Sequence, residues 1–194
     1  MTNEWDEYAD NWDIDPSVEE YAKNAFTTLQ AHLKINNLTV LDFGCGTGTL
    51  TQLMSPTVKS IVAIDPSPKM IKYLQQKTLN NVSPIADYLS SELINNTPVL
   101  KEKFDLIVAS SVCSFLPDYQ ATLNLLKSRL KKGGLFVQWD WLSSDESSDM
   151  GLSEQTVKQT LLAAGFVKTT ITQPFSMLSS KGDMPVLMAI GEND

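Results

Sequence analysis

Apolar residues fall along this chain in two alternating rhythms: short unbroken runs, and longer stretches where they recur every three or four positions. The runs Val40 to Phe43, Val58 to Ile64, Val82 to Ala86, Phe104 to Ala109, Leu135 to Trp139, Phe166 to Thr172 and Val186 to Ile190 predict strands. Helical spacing first appears after Asp15 and Pro16, a capping acid followed by a first-turn proline, with Val18, Ala22, Ala25, Leu29 and Leu33 forming one stripe. Ser67-Pro68 opens a second helix carrying Ile71 and Leu74. Asp118 opens another with Leu123, Leu126 and Leu130, and Ser153 one with Val157, Leu161 and Ala164, closed by Gly165. Strands that alternate with helices predict an α/β domain whose parallel sheet is covered on both faces. The last two strands break the rhythm. Only Gln173 to Pro185 separates them, with Gly182-Asp183 inside, so they read as a hairpin with an antiparallel strand at the sheet edge. Ser143 to Asp149 is polar and acidic enough to predict a mobile loop. Residues 1–37, which mix Trp5, Tyr8 and Trp12 with acids before the first long helix, read as a helical cap over a core of residues 38–194.

Composition narrows the classes. A chain of 194 residues with 42% apolar content can fill one sizeable core. Fifteen basic against twenty-three acidic side chains give a formal charge of -8, which disfavours a phosphate backbone as partner. No run of 18 apolar residues and no basic, apolar leader is evident, so the expectation is a cytoplasmic protein without a membrane partner. Cys45, Cys113 and His32 are too few for a disulfide framework or a zinc site, and no metal is expected.

The chemistry gathers at two strand ends. Val40 to Phe43 contains Asp42 and runs into Gly44, Gly46 and Gly48 on alternate positions, a turn with bare backbone for a small charged ligand. The next run, Ile61 to Ile64, also ends in an acid, Asp65. The spacing Gly-Cys-Gly-Thr-Gly departs from the Gly-x-Gly-x-x-Gly of dinucleotide folds, and Asp42 would repel a pyrophosphate while welcoming an amino group. A nicotinamide oxidoreductase is therefore disfavoured.

With Val-Leu-Asp-Phe-Gly-Cys-Gly-Thr-Gly at 40 to 48, Val-Ala-Ile-Asp-Pro-Ser-Pro-Lys-Met at 62 to 70, Phe-Asp-Leu-Ile-Val-Ala-Ser at 104 to 110 and Leu-Lys-Lys-Gly-Gly-Leu-Phe at 130 to 136, the chain resembles the class I S-adenosylmethionine-dependent methyltransferases of the small-molecule kind. The resemblance implies a Rossmann-like sheet of order 3-2-1-4-5-7-6 with the seventh strand antiparallel. It implies S-adenosyl-L-methionine as cofactor and S-adenosyl-L-homocysteine as product. In those terms Gly44, Cys45 and Gly46 approach the methionine part, Asp42 helps hold its ammonium group, and Asp65 accepts from both ribose hydroxyls. Asp87 takes the adenine amino group, with Tyr88, Pro66 and Met70 about the ring and Ser110 at the fourth strand tip. Two alternatives stay open: Asp65 as a cap for the helix after Pro66, and Asp87 as a cap for a helix starting at Tyr88.

Methyl transfer requires an acceptor placed in line behind the methyl carbon, and little else. Ser110 to Asp118 forms the expected wall, with Ser111 as a polar contact and Val112 and Phe115 shaping an apolar pocket. Ser114 stands where relatives often carry histidine. Asp140, between Trp139 and Trp141, is a candidate base or substrate anchor, though alternation along a strand prevents all three from facing one way. His32 reads as a surface residue, and Cys113 as packing. Cys45 reads as packing too, beside a helix start that could lower its pKa. The tryptophans read mainly as cap and core, with aromatic recognition of planar or cationic acceptors as the alternative. No Asn-Pro-Pro-Tyr or Asp-Pro-Pro-Tyr follows the fourth strand, which argues against base or glutamine methylation. The expected activity is methyl transfer to O, S or N of a small molecule by a monomer or homodimer. The rival is a cofactor-binding sensor or partner subunit without catalysis.

Overall fold

The computed structural model describes residues 4–143, 151–179 and 182–194. The polar loop expected at 143–149 lies, from residue 144 onward, outside the described residues. Seven strands form one sheet in the order β3-β2-β1-β4-β5-β7-β6. The chain divides into two compact units, one ending at Glu102 and the other starting at Lys103.

The first unit carries a 3-10 turn (Glu4–Glu7), α1 (Ala9–Trp12), α2 (Pro16–His32), β1 (Thr39–Phe43), α3 (Thr49–Met54), β2 (Ser60–Asp65), α4 (Pro68–Gln76), β3 (Val82–Ala86), α5 (Ser91–Asn96) and α6 (Pro98–Lys101). Its strands are parallel, with Val40 opposite Ile61 and Ile64 opposite Ile85. Val40, Leu41, Ile61, Ala63 and Ile64 are buried, the continuous apolar reading expected of central parallel strands. Asp15 caps α2 by accepting from Ser17 N at 2.9 Å, and Ala22, Ala25 and Leu29 form its buried stripe. Tyr21 joins them, while Val18 and Leu33 at the two ends stay half-buried. Two short helices fill the span between β3 and β4. Pro98 breaks them at Thr97, because a proline removes the N–H that a continuous helix would need.

The second unit carries β4 (Phe104–Ser110), a 3-10 turn (Cys113–Phe115), α7 (Tyr119–Ser128), β5 (Leu130–Trp141), α8 (Glu154–Ala163), β6 (Val167–Ser179) and β7 (Gly182–Glu192). β4 and β5 are parallel, and β7 runs antiparallel to both β5 and β6. The antiparallel strand is therefore not the sheet edge; β6 is. The two last strands are also longer than expected, and most of 173–185 is paired strand rather than loop. A register shift between Thr172 and Phe175 absorbs Pro174 on this edge strand, where a missing donor is tolerated, and pairing resumes at Phe175–Val186. Pro174 gave the sequence a loop-like look that the bulge and the edge position of β6 accommodate.

Candidate cofactor and acceptor sites

Asp42 and Asp65 stand at neighbouring tips of parallel strands, with Asp42 level with Ala63 and Asp65 two residues further along β2. After β1 the chain leans onto β2: Gly44 N and Cys45 N both donate to Ile64 O, at 2.8 and 3.1 Å. Gly46 N then donates to Asp65 Oδ2 and Ser67 N to Asp65 Oδ1, both at 2.9 Å. Asp65 thus stitches the glycine turn to the start of α4, whose cap is Ser67, accepting from Met70 N at 3.1 Å. Each Asp65 oxygen keeps a second acceptor site, the arrangement a sugar diol requires. Burial pushes its carboxyl above the usual range, opposed by the Ser67 and Gly46 N–H groups, with Asp6 adding repulsion.

Asp42 is 1% exposed and accepts from Thr51 Oγ1 at 2.5 Å. Burial raises its pKa to about 7, against the Thr51 hydrogen bond and helped by nearby Asp65. An ammonium group is the partner that would relieve this charge. Cys45 does not have the lowered pKa that a helix start suggested. Burial of the thiol, with Asp42 and Asp65 beside it, raises it well above its ordinary value.

Two glycines in the turn have different reasons. Gly46 has φ +54°, and a Cβ there would meet only Trp12 Nε1, at 3.7 Å, so its face is otherwise open for a ligand. Gly48 has φ +82°, and a Cβ would lie 2.3 Å from Leu74 Cδ1. The first is a cradle and the second a close approach of turn to α4.

Asp87 follows β3, where its N–H donates to Asp65 O at 3.1 Å and its exposed carboxylate accepts from Tyr88 N at 2.7 Å. No helix begins at Tyr88; α5 starts at Ser91 under the Ser90 cap. Tyr88 is 67% exposed and Pro66 half-buried, whereas Met70 is 2% exposed and packs in the unit's core.

Sequence reasoning placed the N-terminal segment as a cap but gave its acids no work. Asp6 accepts from Ser67 Oγ and Lys69 N, Asp10 from Lys69 Nζ and Tyr73 OH, and Asp13 from Thr47 Oγ1 and Thr49 Oγ1. Lys77 Nζ is 3.2 Å from Asp13. The signal was the acid spacing 6, 10, 13, one face of a helical strap that latches both the glycine turn and the start of α4.

In the second unit Ser110 ends β4 and Ser111 takes φ +56°, its N–H donating to Trp139 O at 2.6 Å. Phe115 is 40% exposed and Cys113 is buried. Trp139 and Asp140 are both fully buried and, as successive strand residues, point to opposite faces, while Trp141 is half-buried. Asp140 accepts from Ser114 N at 3.2 Å and Gln138 Nε2 at 2.9 Å. Burial raises its carboxyl to about 7, against the Ser114 N–H, the Gln138 amide, the Cys113 N–H and the Ser114 hydroxyl. A carboxylate so enclosed has no route to a substrate proton. His32 lies exposed on the last turn of α2 with Nδ1 at 2.9 Å from Thr28 O, outside both clusters. Among the described residues no group of three or more His, Cys, Asp or Glu could hold a metal ion, and no helix is long and apolar enough to cross a membrane.

The family described as "Methyltransferase domain" matches residues 16–171. A malonyl-[acyl-carrier protein] O-methyltransferase of Acetivibrio thermocellus is 29% identical over 134 residues, covering 66% of this chain and 44% of that protein. A thiol S-methyltransferase of Rattus norvegicus is 25% identical over 126 residues, covering 64% and 51%. The chain thus spans about half the length of these curated relatives. Among solved structures, a DhpI-SAM-HEP complex superposes with TM-score 0.74 at 19% identity, covering 96% of this chain and 93% of that one. A Haloferax volcanii methyltransferase, described as putative and solved with its Trm112 activator, superposes with TM-score 0.77 at 17% identity, covering 100% and 99%. Fold and strand-tip geometry together define a class I S-adenosylmethionine-dependent methyltransferase scaffold. The chain belongs to the methyltransferase-domain family.

Proposed function

We propose that this chain binds S-adenosylmethionine in its first unit and directs methyl transfer to an O, S or N atom of a small molecule received at the turn after β4. The observation that carries the reading is the pairing of Asp42 and Asp65 at adjacent strand tips around the open face of Gly46. The cofactor supplies an activated methyl on a sulfonium. Asp65, with one acceptor site left on each oxygen, takes the ribose diol, and Gly44, Cys45 and Gly46 lie along the methionine part. Asp42 supplies the negative charge that its ammonium balances. Asp87, Tyr88 and Pro66 serve the adenine end, and Met70 supports them from the core. Ser111 offers the acceptor a polar contact, and the apolar Val112 and Phe115 exclude water that would compete for the methyl.

Residues 1–37 act as the cap, with the strap 4–13 as its working part. The thiol S-methyltransferase among the relatives supports a small acceptor, and the net charge of -8 supports one other than nucleic acid. A cytoplasmic monomer or homodimer fits this reading. The test is calorimetric titration with S-adenosylmethionine and, separately, a nicotinamide dinucleotide, then a screen of alcohols, thiols and amines with methyl-labelled cofactor. Preference for the dinucleotide overturns the proposal. Tight cofactor binding without label transfer to any acceptor points instead to a sensor or partner subunit.

A further inference from the structure

The segment after β4 holds a shape it would not keep alone. Ser111 sits in the left-handed region, which is costly for a residue with a Cβ, and nothing in its own side chain offsets that. Three contacts do. Ser111 N–H is taken by Trp139 O, and Ser114 N–H by Asp140. On the far side, Gln138 links Asp140 to α7: its Nε2 donates to Asp140 Oδ2, and its Oε1 accepts from Tyr119 OH at 2.5 Å. Tyr119 is the first residue of α7, so one enclosed carboxylate fastens both ends of the turn.

A buried carboxylate is an expensive fastener. It loses its hydration and is tolerated only where donors replace the water. Asp140 has such donors and no cationic neighbour shaping its charge. An amide or apolar residue at this depth would cost less, unless the position needs a strong acceptor for the Ser114 N–H. The buried Ser114 hydroxyl lies beside the same carboxylate and helps hold its charge.

We propose that Asp140, together with Gln138 and Tyr119, is a positioning unit that locks the Ser110–Phe115 turn in the conformation that receives the methyl acceptor. Asp140 acts through the turn and does not touch substrate. The proposal rests on the reading of this turn as the acceptor side, but the lock itself can be tested without an acceptor.

The ionisable groups that face Asp140 are the Cys113 thiol on the 3-10 turn and the Tyr119 phenol on α7. Burial raises both, so each stays protonated through neutral pH, and a change there reports Asp140 alone. The experiment is residue-resolved amide exchange on the whole chain between pH 5.5 and 8.5, corrected for intrinsic rates, in wild type, D140N, D140A and Y119F. Iodoacetamide trapping of Cys113 is the second measurement, with Cys45 as internal control. In wild type, Ser114 N–H protection should vary with pH, and in D140N it should be flat. D140A should lose at least tenfold and Y119F severalfold, while the β4 amides of Leu106 to Ala109 keep their protection and Cys113 labels faster. If D140A does not fold, D140N and Y119F still decide the matter. Unchanged Ser114 exchange in these variants overturns the proposal, as does an equal rise across all of β4 and β5, which would make Asp140 a packing residue. Failure of S-adenosylmethionine to bind would sink the proposed function and leave this lock standing, so the two failures are distinguishable.

Discussion

Two carboxyls buried without cations should make this protein more stable in mild acid than at neutral pH, the reverse of ordinary acid denaturation. Asp42 and Asp140 are 1% and 0% exposed, and both are raised from 3.8 to about 7. A folded-state pKa above the unfolded value means that, between about pH 4 and 7, the native protein holds protons that the unfolded chain has released. Stability therefore falls as pH rises through this window and levels off above it. One pKa unit is about 1.4 kcal/mol, so from pH 5 to 7 each group removes about 2 to 3 kcal/mol. The pair removes about 4 to 6 kcal/mol, a large part of a typical domain's stability. Asp65 shifts in the same direction, while Asp10 and Asp15 are lowered and lose their partners only in stronger acid. Urea denaturation of the ligand-free chain at pH 5, 6, 7 and 8 is the assay, with a midpoint expected to fall by about 1 M or more between pH 5 and 7. D42N and D140N should each flatten part of that slope, because a neutral amide has no proton to release. A wild-type midpoint that is constant or rises over this range refutes the reasoning, and so does a slope that both variants retain in full.

Asp65→Ala should weaken S-adenosylmethionine and S-adenosylhomocysteine alike, by roughly tenfold to a thousandfold, since the ribose contact is common to both; near-equal affinities measured by calorimetry would return Asp65 to a purely local role. Gly48→Ala should destabilise by about 2 to 4 kcal/mol, because a positive φ and a 2.3 Å approach to Leu74 are both penalised. Adding Leu74→Ala removes the clash but not the backbone strain, so thermal melts of the double variant should show less than additive loss. Trp12→Ala should raise the S-adenosylhomocysteine dissociation rate severalfold in stopped-flow fluorescence, read from Trp5 and the two β5 tryptophans that remain. An unchanged rate would show that the indole beside Gly46 is only packing.

Much of the fold was legible because the signals are local. Asp15, Ser67, Asp118 and Ser153 cap helices where a short polar side chain precedes an apolar stripe, and each accepts the expected backbone N–H. The two acidic strand tips were legible for the same reason, a run of apolar residues ending in a carboxylate. What escaped depends on distant partners. Nothing near Pro174 says that an edge position and a bulge will let β6 continue past it. The break at Thr97-Pro98 could be read only as irregularity, and Tyr21 looks polar until α2 packs on its neighbours. Cys45 reads as packing from the sequence, and the sign of its pKa shift was out of reach there: a helix start suggests a stabilised thiolate, while burial beside two carboxylates, visible only after folding, raises it.

Asp140 shows the same limit at the site itself. On paper, an acid between two tryptophans at a strand tip has the chemistry of a base. Its role turns on which face of β5 it takes, and that is set by distant partners, the Ser114 N–H 26 residues away and Tyr119 reached through Gln138. Asp65 went the other way: it could have been a simple cap, but Ser67 took that position and left Asp65 to join the glycine turn to α4. Both acids end up bonded to backbone N–H groups of adjoining turns, and exposure separates their work. Asp65, 8% exposed with an acceptor site remaining on each oxygen, is open to a partner from outside, whereas the fully enclosed Asp140 suits the proposed lock of the turn beside it.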